Sequence, residues 1–220
     1  SPDTSKKVLK QFDRFQKGLR DNLNDSISRA DAISMLSQHL ITKPIFDALF
    51  AGHDFATHNP VSRVMQAMAD ALDGSGLEAE TKRLAKFYDS VRLRAEQVVD
   101  AQGKQHLIAD LYEKFFRTAF RKQSEALGIV YTPVEVVDFI LRAADHASRE
   151  HLGRGLTDVG VHILDGFTGT GTFITRLLQS DLITPQDLAR KYTSELHANE
   201  IMLLAYYIAA VNIETTYHAV

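Results

Sequence analysis

The sequence predicts an α/β chain: an all-helical part over residues 1–125, then, over 126–220, the opening of an open, mostly parallel sheet. Three observations predict it. Apolar residues recur at three- and four-residue steps through the first part. An apolar strand near Val161 to Leu164 runs into an acidic residue and a loop with Gly at every second position. A second acidic tip, Glu200, closes a short polar stretch and precedes a wholly apolar segment.

Taken in order, Leu9, Phe12, Phe15, Leu19 and Leu23 make the first stripe, and Asn59-Pro60 opens a helix carrying Val61, Val64, Met65, Met68 and Leu72. Gly74 and Gly76 mark an inter-helix loop. Leu84, Phe87, Tyr88 and Val91 repeat the rule, and residues 107–120 present a broad aromatic face through Tyr112, Phe115, Phe116 and Phe120. Such stripes are core packing, not cofactor boxes. Tyr131-Thr132-Pro133-Val134-Glu135 then reads as a capping box: Thr132 caps, Pro133 takes the first helical position and Glu135 reaches back. The free amides and positive dipole end of that helix suit a carboxylate.

The segment VHILDGFTGTGTF, Val161 to Phe173, carries the chemistry. A dinucleotide fingerprint needs a third Gly where Ile174 stands, so NAD is disfavoured. A phosphate-cradling loop needs a Gly-Lys-Ser/Thr ending, and no Lys lies between Val161 and Ser180, so ATP is disfavoured. Asp165 at the strand end, facing a loop that a ligand can approach closely, suits a cofactor with a cationic ammonium and no phosphates; S-adenosylmethionine fits. An ordinary turn in which Gly169 and Gly171 only supply positive φ satisfies the same pattern.

Thr184-Pro185-Gln186-Asp187 opens an extra short helix, after which a second strand is expected near Thr193 to His197. Glu200 at its tip is placed to accept hydrogen bonds from two ribose hydroxyls, with Ile201 covering an adenine face; a surface Glu capping the next helix is the alternative. Ile201 to Val211 is apolar on every face and needs cover on all sides. Only two strands of a larger sheet are encoded, so the chain is expected to stop part-way through it.

Composition sets outer limits. The 220 residues are 45% hydrophobic, enough for a packed core, and contain no Cys. No signal peptide and no run of the roughly 18 apolar residues that spanning a bilayer takes is found, so a soluble, cytoplasmic protein without membrane contact is expected. The nine His are scattered, and no metal site is expected. A formal charge of −3 argues against this chain as the main grip on DNA. Two basic faces, Lys6/Lys10/Arg14/Lys17 and Lys114/Arg117/Arg121, read as solvated helix surfaces; touching DNA, they would act as backbone clamps.

The ordered motifs Tyr131-Thr132-Pro133, Asp165 to Phe173 and Asn199-Glu200 resemble those of amino-group DNA methyltransferases. Gly166 stands where that family usually has Pro, a loss of loop rigidity but not of a ligand group. The runs LITKPIFDALF (Leu40 to Phe50), LYEKFFRTAF (Leu111 to Phe120), GIVYTPVEVVDFIL and ELHANEIMLLAYYIAAVNIE look like parts of single-chain Type ISP restriction-modification enzymes. In those, a nuclease and a helicase-type translocase precede a helical coupler, a methyltransferase domain and a target-recognition domain.

The resemblance implies that residues 1–125 belong to the coupler and that 126–220 begin a Rossmann-like methyltransferase domain. Its S-adenosylmethionine site would comprise Tyr131, Thr132, Pro133, Asp165, Phe167, Thr168, Gly169, Gly171, Phe173, Glu200 and Ile201. It further implies adenine N6 in DNA as the methyl acceptor, with intramolecular contacts to nuclease, translocase and target-recognition domains. The family's catalytic Pro-Pro motif does not occur, so catalytic residues are expected beyond Val220. A methyltransferase acting on cytosine, protein or a small molecule, and a non-catalytic coupler module, share everything read so far.

Overall fold

The computed structural model describes residues 2–49, 59–72, 85–97 and 132–220. The chain divides into two compact units, Ser1–Lys104 and Gln105–Val220. Expectations for Gly74 and Gly76, Leu84, the side chains of Phe87 and Val91, the aromatic face of 107–120, the basic face of Lys114, Arg117 and Arg121, and Tyr131 lie outside the described residues.

The regular elements among the described residues of the first unit are all helices: α1 (Pro2–Asn22), α2 (Arg29–Leu49), α3 (Pro60–Ala71) and α4 (Ala85–Glu96). Caps fix two of the starts. The Ser28 N–H and hydroxyl both donate to Asp31 Oδ2 while the Asp31 N–H returns a bond to Ser28 Oγ, and Asn59 Oδ1 accepts from the Ser62 N–H at 3.0 Å just ahead of Pro60. Phe12, Phe15 and Leu19 of α1 are buried, as are Val61, Met65 and Met68 of α3. The two helices approach closely at Gly18, where an added Cβ would lie 3.1 Å from Val64 Cγ1.

The first stripe is shorter than expected. Leu9 is 49% and Leu23 39% exposed. The reason is length: α1 runs 21 residues, about 31 Å, whereas α3 has 12 and covers only about 18 Å. α4 is tied to α2 by the Tyr88 hydroxyl, which donates to Ile41 O at 2.9 Å.

The second unit contains α5 (Val134–Leu152), β1 (Ile163–Asp165), α6 (Thr172–Gln179), α7 (Pro185–Arg190), a π-helical turn (Lys191–Glu195), β2 (Leu196–Ala198) and α8 (Leu203–Ala219). The strands pair in parallel, Ile163 with Leu196, Leu164 with His197 and Asp165 with Ala198. Both lie slightly later than expected. β1 begins at Ile163 because Lys191 holds the Val161 carbonyl, and β2 begins at Leu196 because residues 191–195 are wound into the π-helical turn.

The core is Val137 and Leu141 of α5 against Ile174, Leu177 and Leu178 of α6 and Ile183, with Ile163, Leu196 and Ile213 packed on it. Alternation along the strands turns Leu164, 70% exposed, and His197 to the opposite face. α8 begins at Leu203, two residues later than expected, and reaches Ala219. Most of its described apolar residues are covered: Leu203, Ala205, Tyr207, Ile208, Ala209 and Val211 are buried. The Tyr217 ring near its end stacks on Tyr192, centroids 3.8 Å apart. Among the described residues no helix is long and apolar enough to cross a membrane.

Candidate functional site

A strand that hands its chain to a helix through a tight turn puts three things at one edge: the strand's last side chain, the turn amides and the helix N-terminus. Asp165 ends β1, and Gly169 and Gly171 adopt φ of +57° and +87° in the turn before α6. Their needs differ. Gly169 faces open space, whereas a Cβ on Gly171 would stand 3.2 Å from Ala209 Cα and from Ile213 Cγ1, so α8 packs directly on the turn.

The tip of β2 is stitched to this turn. The Asn199 N–H donates to Asp165 O at 2.9 Å, and the Thr168 N–H donates to Asn199 O at 3.1 Å. The Thr168 hydroxyl donates to Asp165 O, and the Asn199 amide group donates to Gly166 O. Glu200 then closes the arrangement. Its Oε2 accepts from the Gly169 N–H and its Oε1 from the Met202 N–H, both at 2.7 Å. Asp165 and Glu200 thus meet across one turn, and each Glu200 oxygen retains acceptor capacity, since a carboxylate has about four lone-pair sites.

Asp165 is the unusual group. Its Oδ1 accepts weakly from the Phe167 N–H at 3.3 Å, while its Oδ2 is buried with no hydrogen-bond partner. Burial pushes its carboxyl above the usual range, opposed by the Phe167 amide. Beside it the Phe167 ring is 97% exposed, and Ile201 is 80% exposed on the far side of Glu200. A buried acceptor lacking a donor, amides in a pinned turn and two bare apolar side chains together fit a ligand with a cationic or hydroxylic donor and a flat apolar part.

Other expected site residues are placed differently. Thr168 is buried and its hydroxyl serves the turn, while Phe173 packs against the helical core. The capping box does not form: Pro133, at φ −55° and ψ 142°, stands at the cap outside the helix, and no side chain caps α5. With Pro133 extended, the Val136 and Val137 amides turn to its carbonyl instead. The helix start still reaches the right edge. Asp138 receives two bonds from Arg176 and Asp181 one from Arg142, pairs separated by 38 and 39 residues, so α5 and α6 run parallel in step. That step sets the start of α5, with part-buried Thr132 just before it, beside the start of α6.

Four contributors escape sequence reasoning. Asn199 enters there only as part of a motif, and Asn212, whose amide group donates to Thr170 O at 3.0 Å, follows directly on a run that reads as wholly apolar. Lys191 and Glu195 form a buried pair under the strands, with Nζ to Oε2 at 2.7 Å. An i,i+4 Lys and Glu ordinarily signals a solvated helix surface.

Residues 2–103 match the family model described as the coupler domain of Type ISP restriction-modification enzymes. Among solved structures, the chain is similar to the ATP-dependent Type ISP restriction-modification enzyme LlaBIII bound to DNA, with 49% identity and a TM-score of 0.80. It is also similar to a nuclease-deletion mutant of the Type ISP enzyme LlaGI in complex with a DNA substrate mimic, with 47% identity and a TM-score of 0.80. A third match is the DrdV–DNA complex, at 37% and 0.82. Each match covers 96% of this chain, but the chain spans only 14%, 17% and 21% of those three proteins. No curated protein matches the chain at a significant level.

Proposed function

Because this chain belongs to the Type ISP restriction-modification family, with residues 2–103 its coupler domain, we propose that residues 126–220 are the cofactor-holding start of a Rossmann-like, S-adenosylmethionine-dependent DNA methyltransferase domain. The coupler on this reading extends over 1–125. The observation that carries the proposal is the buried, partnerless Asp165 Oδ2 beside a turn pinned to Glu200.

Each role rests on the chemistry at that edge. Asp165 Oδ2 accepts from the ammonium of the cofactor's methionine end, which returns a donor to an oxygen that has none. The free acceptor capacity of Glu200 takes ribose hydroxyls, and Ile201 lies against the adenine. The start of α5, where Thr132 and Pro133 stand, and the adjacent start of α6 direct amides and positive dipole ends at the cofactor carboxylate. On this reading Phe167 borders the same edge. When bound, the cofactor supplies an activated methyl group. In the complete enzyme we assign its acceptor as adenine N6, held by residues outside this chain, and DNA, present in the three similar structures, as the enzyme's partner.

Calorimetry on the complete enzyme tests the reading. Glu200→Ala removes charge-assisted hydrogen bonds of about 1.5–3 kcal/mol each, so the dissociation constant for S-adenosylmethionine rises roughly tenfold or more. A wild-type enzyme that does not bind the cofactor, or a Glu200→Ala enzyme that binds it unchanged, contradicts the assignment.

A further inference from the structure

We propose that Lys191, together with Glu195, is a positioning residue for the Asp165 and Glu200 tip, acting from the opposite end of the two strands. Lys191 is wholly buried. Its Nζ donates to three main-chain carbonyls of the segment that enters β1: Leu156 at 2.9 Å, Asp158 at 3.0 Å and Val161 at 2.6 Å. Its fourth contact is Glu195 Oε2. Glu195 in turn accepts from the Gly160 N–H at 2.8 Å and pairs with Arg190.

A lysine buried without water is costly, and it is tolerated where carbonyls and a carboxylate surround the ammonium. Here those carbonyls come from one stretch only, residues 156–161, and the pair itself occupies the π-helical turn that leads into β2. The clamp therefore joins the entrance of β1 to the entrance of β2. Between that clamp and the tip lie only three residue pairs. A ladder so short specifies its register weakly, and a slip of one residue would turn Asp165 to the other face of the sheet. Fixing both entrances sets how far along each strand Asp165 and Glu200 stand when they meet. π-helical turns recur at functional sites, and here the turn sets the direction in which the chain enters β2.

Backbone amide exchange tests the inference without any cofactor. The Thr168, Gly169, Asn199 and Met202 amides are each hydrogen-bonded at the tip and report its closure. Lys191→Met keeps the volume and removes the ammonium. The expected result is exchange faster by about tenfold at these four amides, with the amides of α6 as protected as before. Acceleration confined to residues 156–161, or spread evenly over the whole unit, would overturn the proposal. Should Lys191→Met not fold, Glu195→Gln, which removes the charge but not the volume, carries the same expectation and the same refutation. A second arm rests on the cofactor reading: in the complete enzyme Lys191→Met weakens S-adenosylmethionine binding while Lys191→Arg restores it in part. Failure of wild type to bind the cofactor refutes that reading and leaves the exchange result to decide the role of Lys191.

Discussion

At the residue scale two carboxylates pull in opposite directions. Asp165 has its proton affinity raised by burial, so the folded chain binds a proton there more tightly than the unfolded chain does. Its penalty is absent below the ordinary carboxylate range and grows as pH rises, reaching its full size above the raised value. Asp165→Asn is therefore expected to raise the melting temperature at neutral pH but not in acid, and to weaken cofactor binding. Equal melting temperatures at neutral pH would show that Asp165 carries no strain to exchange for binding. Glu195 is the reverse case. Lys191 above all, with the Gly160 amide and Arg190 adding and burial opposing, brings its carboxyl from the ordinary 4.5 to about 2. The stability it supplies is complete above 4.5 and is lost as pH falls toward about 2. Glu195→Gln should flatten that acid limb in denaturant titrations at stepped pH, and an unchanged limb would exclude this pair as its source.

At the element scale the turn before α6 separates two glycines that look alike in sequence. Both have positive φ, which costs a substituted residue about 1–2 kcal/mol. Only Gly171 also faces the α8 backbone, so Gly171→Ala is expected to lose about 1–3 kcal/mol beyond Gly169→Ala through overpacking. Denaturant midpoints of the two variants measure the gap, and equal losses would mean that α8 does not bear on the turn.

The same turn shows what sequence can and cannot supply. Its strand, acidic end and glycines are legible because backbone conformation restricts residue type there. The parallel pairing and the short helix at Pro185–Arg190 are legible from the same local signals. The bonds that pin Glu200 are not, because main-chain amides leave no mark on composition. The capping box fails for a local reason: Pro133 takes an extended ψ, a choice the motif alone does not reveal. Lys191 stays hidden because its buried ammonium is held by three carbonyls from a segment 30 to 35 residues away, which no periodicity encodes.

At the scale of the whole molecule, the helical stripes of 1–125 predict a core, and the structure buries Phe12, Phe15 and Leu19 of the first and Val61, Met65 and Met68 of the second, while Leu9 and Leu23 escape because their partner helix is short. The all-apolar segment after Glu200 reads as needing cover on every side, and from Leu203 onward most of its apolar residues are buried. The family match at 2–103 falls within the unit Ser1–Lys104, and the proposed site lies wholly in the second unit. We propose the Asp165 and Glu200 tip of that second unit as the site that receives S-adenosylmethionine. The most direct measurement is titration of the cofactor into the isotope-labelled 220-residue chain, following backbone amide resonances. Saturable shifts at Thr168, Gly169 and Met202 that Asp165→Ala abolishes are the predicted result; shifts confined to other residues, or none at these amides, would contradict it.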